Sequence, residues 1–268
     1  MDLSGRAAAS GGAAVSDRAD ELAGLRRRMA AMAGRPDQHV VEVRDRGAGV
    51  LPVPDALSEV LPYKGIPRGT VACLDGANSL LVAMIASVTR AGGQVAIVGL
   101  PRLNLLSAVE MGADLSRIAT IPEPGPDPVE VAAVLLDGMD LVVLGLAGGR
   151  ARGESIAPSR ARVVMGRVRK QSSVLLVTGG VWPGAQLTVE ARVLTYRHSP
   201  LLAGTTDLDS ARSGYGRIGG MRLQVTASGR GRQSESTEVE LLTGGVGPDR
   251  VVEMVSATSG RPVLAVAN

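Results

Sequence analysis

The chain has 268 residues, 45% of them apolar, and its 29 basic residues nearly balance 26 acidic ones, for a formal net charge of +3. One cysteine excludes an intramolecular disulfide and a cysteine-rich zinc site, and four aromatic residues are too few for a single-strand binder that stacks bases on exposed rings. Neither a transmembrane segment nor a signal-peptide core is evident, which predicts a soluble, cytoplasmic protein without membrane association.

Residues 1–49 form the first of three predicted regions, a disordered Gly/Ala/Ser-rich segment followed by a helix over residues 16–33. Acidic residues fall early in this helix and arginines fall late, an order that suits the helix dipole. The helix carries one apolar stripe, made of Leu22, Leu25, Met29 and Met32. This stripe either packs back on the rest of the protein or docks on a partner.

Residues 50–225 form the second region, in which short apolar runs alternate with helical segments. This pattern predicts an α/β, doubly wound domain with a mainly parallel sheet covered on both faces. The predicted strands lie at residues 70–74, 94–98, 118–121, 141–144 and 174–177. The predicted helices lie at residues 79–90, 103–111, 129–136 and 159–171.

The pattern beyond residue 185 changes to strict alternation of apolar and polar residues, which predicts antiparallel strands that extend one edge of the sheet. These strands lie at residues 187–197, 216–229 and 236–242. The third region, residues 226–268, is predicted as a C-terminal hairpin and a loosely patterned tail. The tail either closes the sheet edge or adds a strand to a partner.

The turn after the first core strand is where a doubly wound fold binds phosphate, through backbone N–H groups at a helix start. A Walker A loop needs a second glycine, a lysine and a serine or threonine. Counted from Gly76, those positions hold Leu81, Val82 and Ala83, so the phosphate loop is interpreted as degenerate. The degenerate loop comprises Gly76, Ala77, Asn78, Ser79, Leu80, Leu81, Val82 and Ala83.

Two further strands end in uncharged residues at positions where ATP hydrolysis requires a carboxylate. The strand at 141–144 runs into Gly145, with Asp140 at its wrong end, and the strand at 94–98 runs into Gly99 and Leu100. We therefore predict no enzymatic activity, no catalytic residue, no cofactor and no metal. The scarce reactive side chains fit this interpretation: Cys73 is expected to be buried and inert, and His39 and His198 to lie at the surface, His198 in a loop before Pro200.

Three segments resemble RecA recombinases. IPRGTVACLDG (66–76) is similar to the approach to the RecA phosphate loop, and QVAIVGLPRLNLLSAVEMGADLSRI (94–118) resembles the next strand and helix, with Met111 to Leu115 and Arg117 as the closest part. DPVEVAAVLLDGMDLVVLGL (127–146) resembles the helix and strand that lead to the Walker B position. The resemblance covers residues 50–225 and implies a RecA-like fold.

A RecA-like, arginine-rich chain with a degenerate nucleotide site resembles most closely the ImuA′ proteins of actinobacteria. The resemblance implies a non-catalytic accessory role in an SOS-induced translesion-synthesis complex, the mutasome, together with ImuB, an inactive homologue of Y-family polymerases. It also implies association with an error-prone polymerase α subunit, contact with RecA or DNA, self-association, and a place at the nucleoid after DNA damage.

Arginines dominate the predicted helix at 159–171 and the glycine-rich stretch before it. One interpretation is a patch that faces DNA phosphates or a partner. The other is a solvated helix whose arginine stems cover apolar edges. The candidate residues are Arg150, Arg152, Arg160, Arg162, Arg167 and Arg169.

Two alternative functions stay open at this point. The first is a divergent RecA-type ATPase or DNA-binding protein with a non-standard site, for which Lys64 and Arg68 are the only nearby cations. The second is an inhibitor of cell division similar to SulA, which is also RecA-like and lacks ATPase activity.

Overall fold

The computed structural model describes residues 49–146, 156–199, 217–231, 233–244 and 250–257. The predicted helix over residues 16–33 and His39 lie outside this part of the chain. Within it, none of the helices combines the length and the apolarity needed to cross a bilayer.

The described residues form strands and helices in the predicted order. The strands are β1 (Val50–Leu51), β2 (Ile66–Pro67), β3 (Val71–Gly76), β4 (Val95–Val98), β5 (Ile118–Ile121), β6 (Leu141–Gly145), β7 (Val174–Thr178), β8 (Leu187–Ser199), β9 (Arg217–Gly229), β10 (Glu235–Gly244) and β11 (Val251–Ser256). The α-helices are α1 (Asn78–Arg90), α2 (Leu105–Glu110), α3 (Pro128–Leu135) and α4 (Pro158–Lys170). Each of the predicted strands and helices that falls in the described residues is present, with bounds within two residues of those expected.

Nine of these strands form one sheet, in the order β11-β10-β9-β8-β3-β7-β6-β4-β5. The six strands from β8 to β5 are mutually parallel, and β9, β10 and β11 continue the sheet beside β8 in antiparallel fashion. The predicted class, a doubly wound and mainly parallel sheet with an antiparallel edge, is confirmed.

The parallel strands are buried on both faces because successive side chains point to opposite sides of the sheet. In β3, Ala72 and Leu74 belong to the core beneath α1, whereas Val71 and Cys73 belong to the core beneath α3 and α4. Helix α1 is buried almost all round, which explains why its sequence has no polar face.

The antiparallel edge is covered on one face only. Leu223 and Val225 of β9 share a core with Leu57 and Leu61, which precede the sheet in sequence. The opposite face is polar and centres on Glu240 of β10, which is buried because two arginines cover it. Arg197 and Arg222 both donate hydrogen bonds to its carboxylate, and Arg222 lies directly opposite Glu240 in the β9–β10 register. The alternation predicted for a half-solvated antiparallel edge is therefore present.

Three features differ from the expectation. Part of the predicted tail forms strand β11, which was not predicted as a strand, and its pairing with β10 agrees with the first alternative given for the tail, packing at the sheet edge. The predicted boundary at residue 225 falls inside β9. His198 lies in β8 and not in a loop, because β8 continues two residues past the predicted strand to pair with the start of β9.

A buried ion pair organises the amino ends of the parallel strands. Arg68 Nη1 donates to Asp140 Oδ1 at 2.8 Å and to the Ser172 carbonyl oxygen at 3.2 Å. The second carboxylate oxygen of Asp140 accepts the Gln94 N–H at 2.8 Å. Arg68, Gln94, Asp140 and Ser172 lie just before β3, β4, β6 and β7, respectively. The ion pair and its hydrogen bonds therefore link the starts of four strands.

We expect Arg68→Ala to destabilise the protein by about 3–5 kcal/mol, since the Asp140 carboxylate would stay buried without its cation. Urea unfolding followed by circular dichroism would measure this loss. Arg162→Ala, which removes an exposed arginine of α4, is the matched control and should change stability by less than about 0.5 kcal/mol. Equal stability of the two variants would contradict the assigned role of the ion pair.

Candidate functional site

The turn that would bind phosphate is reduced to a single residue. Strand β3 ends at Gly76 and α1 begins at Asn78, so only Ala77 joins them. Both amides of the turn are engaged within the chain. The Gly76 N–H donates to the Asp75 carboxylate at 2.9 Å, and the Ala77 N–H donates to the Ala191 carbonyl oxygen at 2.9 Å. A phosphate loop instead directs such amides toward its ligand.

Gly76 is required by the neighbouring strand. Its φ is +93°, and a Cβ atom at this position would lie 2.0 Å from the Ala191 carbonyl oxygen in β8. Only glycine tolerates both conditions. The glycine that could be taken for a remnant of a phosphate loop therefore serves the close contact between β3 and β8.

The lysine and threonine positions of a phosphate loop lie in the protein core. Leu80 and Leu81 are fully buried, and Val82 and Ala83 are nearly so. These positions hold aliphatic side chains, so they supply neither the cation nor the hydroxyl that a phosphate loop uses. Of the degenerate loop, Asn78 and Ser79 alone offer polar side chains, at the first turn of α1.

The carboxyl ends of β4 and β6 are also closed. In an open α/β sheet, ligands bind where neighbouring strands lead to helices on opposite faces, and β4 and β6 are such a pair. Here the Leu100 side chain packs onto Gly145, where a Cβ atom would meet Leu100 Cδ2 at 2.4 Å and the Gly99 carbonyl oxygen at 2.9 Å. No carboxylate fits at the Walker B position, because Leu100 fills the space that its side chain would need.

Neither Arg68 nor Lys64, the two cations considered for an alternative ATPase site, lies at the turn between β3 and α1. Arg68 pairs with Asp140 at the amino ends of the strands, and the six residues of β3 separate it from Gly76 by about 20 Å. Lys64 is exposed in a short 3₁₀ turn at Pro62–Lys64. Among the described residues, no group of His, Cys, Asp and Glu side chains is arranged to hold a metal ion.

The single cysteine lies in the hydrophobic core beneath α3 and α4. Cys73 is buried in β3, and burial raises the pKa of its thiol above the ordinary value, against a hydrogen bond from the Trp182 backbone that lowers it. A buried thiol of raised pKa is a poor nucleophile.

Two of the predicted surface arginines are tied to acidic residues of α3 and its flanks. Arg160 forms an ion pair with Asp127, which also caps α3 by accepting the Glu130 N–H. Arg167 donates to both carboxylate oxygens of Asp137, at 2.9 and 2.6 Å. These hydrogen bonds lower the pKa of both aspartates below the ordinary value. Arg160 and Arg167 thus join α4 to α3 through half-exposed ion pairs.

The remaining candidates divide into two groups. Arg162 and Arg169 are exposed on α4 beside Lys170 and have no acidic partner among the described residues. Val163, 74% exposed, lies between them on the same surface. We call this surface the α4 basic face, made of Arg162, Val163, Gly166, Arg169 and Lys170. Arg150 and Arg152 lie outside the described residues.

The structure contains a cleft beside the start of α1 that the sequence did not predict. It has a volume of about 360 Å³ and lies between α1, α2 and the strands β9 to β11. Its polar side chains include Arg102 and Arg250, which are far apart in the sequence and carry no motif. The one signal available was the unusual pair Asn78 and Ser79 at the start of an otherwise apolar helix.

These observations define the class: an α/β protein with a doubly wound sheet whose nucleotide-binding edge is closed by its own packing. The family model described as the MT3502 N-terminal domain matches residues 59–184. The uncharacterized protein Rv3395c of Mycobacterium tuberculosis is 55% identical over 165 residues, which cover 62% of this chain and 76% of Rv3395c. The chain belongs to the family of Rv3395c.

Among solved structures, the KaiC-like protein PH0186 from the archaeon Pyrococcus horikoshii is similar at 12% identity with a TM-score of 0.44. That match covers 76% of this chain and 99% of PH0186.

The closure at β6 predicts opposite effects of alanine at two glycines. Gly145→Ala should destabilise the protein by about 1–3 kcal/mol, because Leu100 and the Gly99 carbonyl leave no room for a methyl group. Gly166→Ala, at an open position on the exposed side of α4, should stabilise it by about 0.5–1 kcal/mol. Thermal and urea unfolding of both variants would measure the difference. A neutral or stabilising Gly145→Ala would show that the carboxyl end of β6 has free space.

Proposed function

We propose that this protein is a non-catalytic, RecA-like accessory component of an SOS-induced translesion-synthesis complex and acts through protein contacts with ImuB. The observation that supports the proposal is the closed carboxyl end of a sheet whose element order resembles RecA. A fold built around a nucleotide site, with that site filled by Leu100 and by buried side chains of α1, is suited to act as a scaffold.

The three RecA-like segments contain the parallel strands β3, β4 and β6, which supports the RecA-like interpretation. Residues 66–76 lead through β2 into β3, residues 94–118 span β4 and α2, and residues 127–146 span α3 and β6. The similarity is therefore to the core of the domain rather than to its edges. The 55% identical relative comes from Mycobacterium tuberculosis, an actinobacterium, which agrees with the actinobacterial origin of the ImuA′ proteins.

The α4 basic face is the surface we assign to the partner. Its exposed arginines present positive charge around an exposed valine, so it suits an acidic, partly apolar surface. The face is separate from the arginines that join α4 to α3, and because its side chains are exposed, substitutions there should leave the fold intact. Contacts with RecA, with the error-prone polymerase α subunit and with DNA belong to the same proposal, as does a place at the nucleoid after DNA damage.

A co-purification experiment tests the proposal. Tagged ImuB should retain the wild-type chain, and the double variant Arg162→Glu/Arg169→Glu should bind at least about tenfold more weakly, because two attractive charges become repulsive. The control is Arg192→Glu/Arg230→Glu, which makes the same change of charge at two exposed arginines of the antiparallel edge. It should be retained like the wild type.

Failure of ImuB to retain the wild-type chain at low salt would contradict the proposed function. Full retention of the α4 double variant would contradict the α4 basic face as the contact surface. Loss of binding by both double variants would show a response to total charge instead of to a specific surface.

A further inference from the structure

The cleft of about 360 Å³ beside α1 has the size of a small-molecule site. It lies outside the core described above, on the face of the sheet that carries α1 and α2. Five separate parts of the chain build it: the start of α1, α2 with the connection that leads into it, the start of β9, the end of β10, and the residues that begin β11. It does not include the closed crevice between β4 and β6.

Part of the cleft wall is made of aliphatic and thioether side chains. They include Val82 of α1, Met111 after α2, and Ile218 and Met221 of β9. Ile218 is half exposed, so part of this apolar wall is in contact with water. Such a lining favours a ligand with an apolar body, since burial of aliphatic surface is favourable by about 25 cal/mol per Å².

The charged groups of the cleft leave one positive charge uncompensated. Arg102 and Arg250 line it together with a single acid, Glu110. Arg250 Nε lies 3.8 Å from Glu110 Oε1, which is an ion-pair distance but too long for a hydrogen bond. Although this nitrogen is buried, it donates to no acceptor within the described residues. The Arg250 side chain as a whole is 35% exposed, so the accessible part of its guanidinium, rather than the buried Nε, is what a ligand carboxylate would contact.

The start of α1 adds further donors at the same place. The residue before this helix, Ala77, supplies no side-chain cap, and the first two residues of the helix, Asn78 and Ser79, line the cleft. Among the described residues, the Ser79 hydroxyl has the Met221 sulfur, at 3.6 Å, as its hydrogen-bond partner, and sulfur is a weak acceptor. An uncapped amino end of a 13-residue helix carries partial positive charge and free N–H groups that favour an anion.

We propose that the cleft binds a small aliphatic monocarboxylate, with its carboxylate at Arg250, Arg102 and the start of α1 and its chain along Val82, Met111 and Met221. The net charge of the cleft indicates the class of ligand. Two arginines and one glutamate leave a single positive charge, which one carboxylate neutralises, whereas a nucleoside triphosphate would bring several negative charges. The apolar wall excludes small hydrophilic anions as good ligands. This inference is independent of the contact with ImuB.

Isothermal titration of the full chain with octanoate tests the proposal. Octanoate should bind saturably with a stoichiometry of one, and octylamine and 1-octanol, which have the same chain without the negative charge, should bind at least about tenfold more weakly. Arg250→Gln should weaken octanoate binding at least about tenfold, and Arg102→Gln should weaken it to a smaller extent. Glu110→Gln should strengthen it, because the competing acid is removed.

Arg192→Gln, an exposed arginine of β8 remote from the cleft, is the control and should bind octanoate like the wild type. The emission of Trp182, which is buried in the core on the other face of the sheet, reports that each variant is folded. The proposal is overturned by absence of saturable binding, by octanol or octylamine binding as tightly as octanoate, by a stoichiometry well above one, or by an unchanged affinity in folded Arg250→Gln.

Discussion

The carbonyl oxygen of Ala191 in β8 lies against the α-carbon of Gly76, and this contact determines the local structure at the centre of the sheet. Because the two strands approach so closely, β3 must turn within one residue, and the Ala77 amide is used to hold β8. Helix α1 then begins at once, and its side chains from Leu80 to Thr89 are buried. A phosphate loop of ordinary length has no place between β3 and α1, because a single residue joins them.

The same close packing recurs at the neighbouring strand ends, where Leu100 lies on Gly145. The arginines of the two candidate binding surfaces therefore lie around this packed centre and not at the end of β6. On one face of the sheet, Arg102 and Arg250 meet beside the uncapped start of α1, and on the other face Arg162 and Arg169 remain exposed on α4. Both surfaces are positively charged, although the whole chain is close to charge balance. A scaffold in which binding surfaces surround a filled centre is consistent with this distribution.

Most of the fold was predictable because local patterns specify it. The buried parallel strands are continuous apolar runs, the antiparallel strands alternate, and the helix between Ser79 and Arg90 is apolar all round. Strand β11 was missed because its short, half-exposed sequence has no pattern of its own and is fixed by pairing with β10. The sequence showed that the phosphate loop lacks the required residue types. It could not show that Leu100 packs onto Gly145 at the end of β6, because the two residues are 45 positions apart. The acids that bind Arg160 and Arg167 lie about 30 residues away and carry no local signal.

The central claim is that the carboxyl edge of this doubly wound sheet, where such folds bind nucleotides, is closed at the turn after β3 and at the end of β6. Its most direct test is equilibrium titration of the full chain with a fluorescent ATP analogue, followed by anisotropy with and without Mg²⁺, and with unlabelled ATP as competitor. The account predicts no saturable binding that ATP displaces, at concentrations up to about 1 mM, where even a weak complex of about 4 kcal/mol would be half formed. Saturable, Mg²⁺-dependent binding that unlabelled ATP competes away would contradict it.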